Sequence, residues 1–193
     1  MKIVTQATET EEIIKKSRFI AALHPCSSET EAKQIIYHYY QQFPDASHVV
    51  FAYRIQTDKG LVCRFNDAGE PSGTAGKPIY QHLEGKQIIN AVLIVVRYFG
   101  GIKLGAGGLT RAYSGAAKKV IEASTLSDYI DYAQIKLELD YKDFQQLEYH
   151  LKKLDGKIIH QDFGTKVNVT LKLPSENIES LKSLIFIQPK KFN

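Results

Sequence analysis

The chain has 193 residues, of which 44% are hydrophobic and 24% are charged, and its formal net charge at pH 7 is +4. These values are those of an ordinary soluble globular protein, long enough for one large domain or two small ones. No apolar run reaches the roughly 20 residues of a membrane span, and the N-terminus lacks the apolar segment of a signal peptide, so we expect a cytoplasmic protein with no membrane partner.

The first predicted elements are strands followed by a helix. Residues 11–25 (EEIIKKSRFIAALHP) read as one or two strands. Ser28 and Glu31 have the spacing of a capping box, which predicts a helix start. The apolar stripe of that helix ends at Pro44 and consists of Ala32, Ile35, Ile36, Tyr39, Tyr40 and Phe43. Its tyrosines are therefore assigned to the core rather than to a base-stacking platform.

A predicted hairpin and a polar loop come next. Strands at residues 47–56 and 61–65 flank Thr57-Asp58-Lys59-Gly60, a sequence typical of a hairpin turn. Residues 67–78 (DAGEPSGTAGKP) are predicted to form a loop that leads into a helix around residues 79–83. Rigid scaffolds often carry functional groups on such loops, so this one is part of a site, a constrained turn with a helix cap, or both.

The most informative segment spans residues 90–123, where an apolar strand at 91–96 leads through a basic turn into a helix. Five of the 13 glycines of the chain lie in residues 100–108, which we call the glycine turn. Glycine permits positive φ and close backbone approach, and the first N–H groups of a helix lack internal partners. The glycine turn is therefore suited to bind an anion. The alternative is that its glycines serve only tight packing of strand against helix.

The usual cofactor and metal patterns are absent from the sequence. Thr110 stands where a dinucleotide fingerprint needs its last glycine, and no Walker-type motif occurs. The histidines lack metal-ligand spacing, and Cys26 and Cys63 form no CxxC pair. We therefore predict no cofactor and no metal, and we interpret both cysteines as structural thiols.

A second domain is predicted after a boundary at residues 124–127, which gives domains 1–125 and 126–193. The predicted order is a strand at 129–139, a helix at 143–154, strands at 157–162 and 166–173, a helix opened by Ser175, and a short final strand at 185–187. This βαββα(β) order is typical of a ferredoxin-like domain with an antiparallel sheet.

Positive charge is concentrated in the first of these domains. Residues 1–125 contain 15 Lys and Arg against 11 Asp and Glu, whereas residues 126–193 contain 10 against 10, and all five arginines lie in the first segment. The planar fork of arginine donates two bonds to a phosphate or carboxylate. The predicted anion- or nucleic-acid-binding residues are Lys77, Arg97, Gly100, Gly101, Lys103, Gly105, Gly107, Gly108 and Arg111.

Four segments are distinctive in combination: residues 17–21, the strand that begins at His48, residues 67–78 and residues 95–113. Taken together they resemble the IMPACT family, whose bacterial branch is also called the YigZ family. The resemblance covers residues 1–125, and it carries the family motif onto Glu70, Gly73, Gly76, Lys77, Pro78, Arg97, Tyr98, Gly100, Gly101, Gly105, Gly107 and Gly108. His48 also matches, whereas Val50 departs from the small or thiol residue of the pattern.

This resemblance implies an α+β protein of two domains. The N-terminal fold would be the one shared by the second domain of small ribosomal protein S-five and the galactokinase group, although the loop signature of those kinases is missing. The C-terminal ferredoxin-like domain would be similar to domain V of elongation factor G. Eukaryotic relatives regulate translation through a stress-kinase pathway and bind a partner through an added RWD domain. None precedes Met1 in this sequence, so that partner is not expected.

Two functional hypotheses follow. The first is a translation-associated regulator that binds RNA or a ribosome-associated partner through its basic, glycine-rich surface, where phosphate-type anions would also bind. The alternative is an enzyme whose small phosphorylated or carboxylated substrate is held at the glycine turn, with His48, Asp67 or Glu70 as catalytic candidates for proton transfer. The enzyme hypothesis requires His48 and Glu70 to converge on the glycine turn.

Overall fold

A five-stranded antiparallel sheet organises the first part of the chain in this computed structural model, which describes residues 1–184. The elements are β1 (Lys2–Val4), β2 (Thr8–Ile14), β3 (Ser17–Pro25), α1 (Glu29–Gln42), β4 (His48–Thr57), β5 (Gly60–Asn66), α2 (Gly76–Gly85), β6 (Ala91–Tyr98), α3 (Ala106–Ala123) and β7 (Leu126–Asp128). The strand order is β2-β3-β6-β4-β5, and β1 pairs separately with β7.

Helices cover both faces of this sheet. Side chains of α2 and α3 pack with Phe19, Val50 and Val95 on one face, while side chains of α1 pack with Ile20 and Val96 on the other. The central strand β6 is buried at every position from residue 91 to 97. Burial on both faces explains why this strand reads as a continuous apolar run rather than as an alternating pattern.

Helix α1 begins where the sequence predicted, but one of the two capping-box bonds differs. The Ser28 hydroxyl caps the helix by accepting a bond from the Glu31 N–H, while the Glu31 carboxylate accepts from the N–H of Ser27 rather than of Ser28. Tyr39 is buried, as expected, but Tyr40 is 43% exposed. The assignment of Tyr40 to the core is wrong because α1 packs over β4 and β6 and leaves the β5 side of the sheet open.

The two cysteines are free thiols in this part of the chain. Cys26 is buried in the α1 side of the core, and burial raises the pKa of its thiol to about 12. Cys63 lies half-buried on β5. A thiol held protonated by burial has little nucleophilic character, which fits a structural role for Cys26.

The remaining elements form a second unit. They are β8 (Tyr132–Leu139), α4 (Tyr141–Lys153), β9 (Lys157–Phe163), β10 (Val167–Pro174), a 3-10 helix (Ser175–Asn177) and α5 (Ile178–Leu184). The sheet order is β8-β10-β9 with antiparallel pairs, over a core that includes Leu147, Leu151 and Leu171. The predicted α+β class is confirmed, and the predicted strand at 185–187 falls outside the described residues.

The boundary between the two units follows from backbone contacts. The contacts separate Met1–Tyr129 from Ile130–Asn193, whereas the sequence predicted a boundary after residue 125. The difference arises because β7 pairs with β1 and so belongs with the first unit. Within residues 1–184, no helix combines the length and the apolar character that crossing a membrane would need.

Candidate functional site

The glycines of the glycine turn serve different purposes. A Cβ on Gly100 would lie 2.0 Å from the backbone carbon of Lys16, so this glycine allows β6 to meet the turn between β2 and β3. Gly101 and Gly105 have φ of +83° and +72° with open space around them, and both therefore satisfy a backbone conformation. Tight packing is thus the reason for Gly100, while Gly101 and Gly105 shape the turn itself.

Helix α3 begins within the glycine turn at Ala106 and has an open N-terminus. Gly105 is its N-cap residue, and no side chain among the described residues caps the helix. The Leu109 N–H already bonds to the Gly105 carbonyl, so the N–H groups of residues 106–108 are those that lack a helical acceptor. The positive end of the helix dipole reinforces the affinity of these groups for negative charge. This helix terminus can therefore accept an external anion.

The neighbouring helix α2 is different because a carboxylate of the chain already occupies its N-terminus. Asp67 Oδ1 accepts bonds from the N–H groups of Ala75 and Gly76 at 3.0 and 2.7 Å, and Oδ2 accepts from Gly73 at 2.9 Å. Lys77, predicted to bind an anion, is exposed in the first turn of α2. Asp67, a predicted catalytic candidate, thus serves as an internal cap.

Basic side chains from two separate segments meet at the glycine turn. The contact of Gly100 with Lys16 brings the Lys15-Lys16 pair to a turn that already carries Lys103, and Arg111 reaches back over Gly107. All four cationic residues are exposed, as are Phe99 at 48% and Ile102 at 42%. We call these six residues the glycine-turn surface: Lys15, Lys16, Phe99, Ile102, Lys103 and Arg111. The sequence did not indicate Lys15 and Lys16 as members.

Arg97 was predicted to lie on this surface, but the structure places it inside the protein. It is only 5% exposed, and its Nη1 donates to Glu70 Oε1 at 2.5 Å. Its guanidinium lies 5.6 Å from the ring centres of Phe19 and of Phe99. The correction follows from the position of Arg97 on β6, where both faces are covered and a charge needs an internal counterion.

Glu70 is the centre of a buried polar cluster that also contains His48, Arg97 and Tyr113; we call it the Glu70 cluster. The Glu70 side chain is 3% exposed, and its Oε1 accepts from Arg97 and from the Tyr113 hydroxyl at 2.8 Å. Burial, together with the nearby Glu70 carboxylate, raises the pKa of Tyr113 well above its usual range. A buried tyrosine hydroxyl usually has a polar partner, and Glu70 is the partner of Tyr113.

His48 joins the cluster from the start of β4. Its Nδ1 lies 2.9 Å from the Ala68 carbonyl oxygen, and its Nε2 lies 3.7 Å from Glu70 Oε1. A carbonyl can only accept, so Nδ1 carries the proton and Nε2 points toward the carboxylate. His48 and Glu70 therefore lie together with Arg97, whereas the enzyme hypothesis requires them to converge on the glycine turn.

The link from this cluster to the glycine turn is indirect. Within residues 1–184, neither His48 nor Glu70 bonds to the turn itself. The connection runs through Arg97, at the end of β6, and Tyr113, in α3. The cluster thus fixes the 67–75 loop against the two elements that flank the glycine turn.

Comparison with known proteins gives matches over both units. The model for the Impact N-terminal domain matches residues 15–121, and a domain of unknown function (DUF1949) matches residues 137–186. The chain is 35% identical over 168 residues to IMPACT family member YigZ of Escherichia coli (strain K12), with 86% of this chain and 82% of that protein covered. It is 39% identical over 159 residues to IMPACT family member YvyE of Bacillus subtilis (strain 168), with 76% and 73% covered.

A solved structure of a hypothetical protein is also similar. It has a TM-score of 0.70 and 33% sequence identity, with 94% of this chain and 89% of that chain covered. The match to the Impact N-terminal domain spans all the residues, from Lys15 to Tyr113, that form the glycine-turn surface and the Glu70 cluster.

Proposed function

The chain belongs to the IMPACT family, and we propose that it is a cytoplasmic regulator associated with translation, which binds RNA or a ribosome-associated partner through the glycine-turn surface. The observation that carries this proposal is the open N-terminus of α3, surrounded by exposed cations that come from two segments of the chain.

The chemistry of this surface fits a nucleic-acid backbone. Free N–H groups at a helix start and the cationic side chains of Lys15, Lys16, Lys103 and Arg111 all favour phosphate oxygens. The exposed ring of Phe99 adds a flat apolar face on which an unpaired base can stack. Four cations and one exposed ring favour contact with a single-stranded segment. They offer few contacts to base edges, so we expect little sequence specificity.

Removing two of these cations should weaken RNA binding and lower its salt dependence. For the variant Lys103→Ala with Arg111→Ala, we expect the slope of log K against log salt to fall by about 1.4, because each lost contact to single-stranded RNA removes about 0.7. Fluorescence anisotropy with a labelled oligouridylate, repeated across a salt series, measures this slope. Co-sedimentation with ribosomes over the same salt range tests the second kind of partner.

The matched control removes the same charge elsewhere. Lys142 and Lys152 are exposed on α4 in the second unit, and the variant Lys142→Ala with Lys152→Ala should keep the parent slope. The proposal is overturned if the parent protein shows no salt-sensitive association with RNA or ribosomes. It is also overturned if the control variant loses as much binding as the test variant.

An enzyme acting on a small phosphorylated or carboxylated substrate is the second candidate, because His48 and Glu70 do meet in one cluster. In that case the N-terminus of α3 would hold the anion, and His48 would transfer a proton through Nε2. Glu70 is already engaged by Arg97 and Tyr113, so its part would be to orient and balance His48.

Titration with inorganic phosphate separates this candidate from simple anion binding. If the anion site and His48 share one reaction centre, phosphate that shifts the amide signals of Gly107 and Gly108 should also shift the ring Hε1 signal of His48. The same titration on Arg111→Ala, which loses a cation over Gly107, should show weaker binding. Saturation of the glycine amides with an unchanged His48 signal would remove the enzyme candidate.

A further inference from the structure

The outer edge of β5 is open. In the order β2-β3-β6-β4-β5 this strand is terminal, and no strand within residues 1–184 pairs with its outer side. The Gln56 N–H donates to the Asn90 side chain, so it points toward β6 and away from β5. Backbone groups alternate in direction along a strand, and the pairing of Gln56 with Leu61 therefore sets their direction along β5. By that alternation, the backbone groups of Leu61, Cys63 and Phe65 face away from β4. These three alternate residues thus each offer a backbone N–H donor and a carbonyl acceptor at this edge.

An aromatic groove lies next to this edge, between α1 and the β4–β5 hairpin. It has a volume of about 340 Å³, and the rings of Tyr37, Tyr40 and Phe51 form much of its wall. Tyr37 and Tyr40 are 64% and 43% exposed. The groove exists because α1 leaves the β5 side of the sheet uncovered. Exposed rings of this number in one place are typical of a binding surface.

The charge of the groove is positive. Lys33 and Arg64 are the charged residues in its lining, and the nearby Glu29 carboxylate accepts a bond from the Tyr53 hydroxyl. The opposite edge strand, β2, carries three glutamates in seven residues, whereas β5 (GLVCRFN) carries none. Charged side chains usually protect an exposed edge from strand addition. The β5 edge has Arg64 alone, so an acidic strand would meet attraction rather than repulsion.

We propose that the β5 edge and the aromatic groove together dock an extended, acidic segment of a partner protein, which adds to the sheet as a strand beside β5. Backbone bonds to Leu61, Cys63 and Phe65 would supply affinity, as in other cases of strand addition. Partner side chains opposite Val62 and Arg64 would lie on the groove side, because cross-strand neighbours share a face. A carboxylate opposite Arg64 and apolar side chains against Tyr37 and Tyr40 would complete the fit.

The observations favour a peptide over RNA at this location. RNA binding relies on neutralising several phosphates, and only two cations line the groove, against four at the glycine-turn surface. The N–H and C=O groups of a free strand edge are spaced to pair with the backbone of an extended polypeptide. They give no comparable match to a nucleic acid. The proposal concerns a separate surface, and its success or failure is independent of RNA binding at the glycine turn.

Amide NMR on the full-length labelled protein tests the proposal with three probes: a capped Thr-Val-Thr-Glu-Thr-Val-Thr peptide, whose glutamate and valines share one strand face (the glutamate–valine peptide), its counterpart with lysine in place of glutamate (the lysine–valine peptide), and oligouridylate. We expect the glutamate–valine peptide to shift the Leu61, Cys63 and Phe65 amide signals to saturation and to slow their hydrogen exchange. The lysine–valine peptide should bind at least about tenfold more weakly, the equivalent of 1.4 kcal/mol. Absence of saturable shifts at this edge, or preferential binding of oligouridylate there, would overturn the proposal.

Reversing the groove charge gives a second, independent measurement. Arg64→Glu should reduce affinity for the glutamate–valine peptide by at least about tenfold and raise affinity for the lysine–valine peptide, since the cross-strand pair changes sign. Arg64 is exposed on the edge strand, so the fold should persist, with spectral changes confined to the hairpin and groove. Lys142→Glu makes the same charge change on α4 and should leave both affinities unaltered. An unchanged preference in Arg64→Glu would refute the assigned site.

Discussion

Replacing Arg97 by alanine should lower the free energy of unfolding of the first unit by about 3–5 kcal/mol, because it leaves a buried carboxylate without its cation. The Glu70 side chain is 3% exposed, and Arg97 is its charged partner at 2.5 Å. The remaining Tyr113 hydroxyl can donate one bond but cannot balance the charge. Urea unfolding followed by near-ultraviolet circular dichroism, which reports the tyrosine environments, measures the loss.

An exposed ion pair in the same sheet provides the control. Arg18 and Glu11 form a two-bond pair across β3 and β2, with side chains 47% and 44% exposed. Arg18→Ala should cost only a small fraction of the Arg97→Ala loss, since water can solvate the Glu11 carboxylate that remains. The double variant Arg97→Met with Glu70→Gln should recover part of the stability by removing both charges. Equal losses in Arg97→Ala and Arg18→Ala would contradict a structural role for the buried pair.

The second large effect is expected for Gly100→Ala. The added Cβ would lie 2.0 Å from Lys16 C and 2.4 Å from Ser17 N, both of them backbone atoms that cannot rotate away. We expect a loss of about 3 kcal/mol or more, at or above the upper end of ordinary overpacking. The displaced β2–β3 turn should also carry Lys15 and Lys16 away from the glycine turn. Urea unfolding gives the first quantity, and amide shifts of the β2–β3 turn report the second.

Gly115→Ala is the matched control for this substitution. Gly115 is an exposed position within α3, and its ideal Cβ would have only the flexible end of Glu12 nearby, at 3.8 Å. Alanine there should raise the free energy of unfolding by about 0.5–1 kcal/mol, because glycine is a poor helix former. If Gly100→Ala were tolerated as well as Gly115→Ala, the packing role of Gly100 would be wrong.

Local sequence patterns predicted most elements because the residues that decide them are close together. Ser28 and Glu31 marked the start of α1, and the run at residues 91–96 marked a strand covered on both faces. The exposure of Tyr40 could not be predicted in this way. It depends on how far one helix extends over a five-stranded sheet, which is a property of the packing rather than of the helix.

The candidate site was likewise predictable only where local sequence patterns decide it. Glycines, a histidine and acidic residues in two segments suggested that His48 and Glu70 would converge on the glycine turn, whereas the structure brings them together around a buried Arg97. The role of Arg97 was not predictable from its neighbours, because its partner is 27 positions away in the sequence. The contact between Lys16 and Gly100 is more distant still and involves no side chain of Gly100, so no residue pattern marks it.

The shared carboxylate of Glu70 has a consequence for how this sequence can evolve. Arg97 and Tyr113 both donate to the same oxygen, and each stands on a different element. A lineage that replaced one of the three residues would carry a buried charge or hydroxyl without its partner until a second substitution followed. We therefore expect the residues at positions 70, 97 and 113 to covary among homologous chains rather than to change independently.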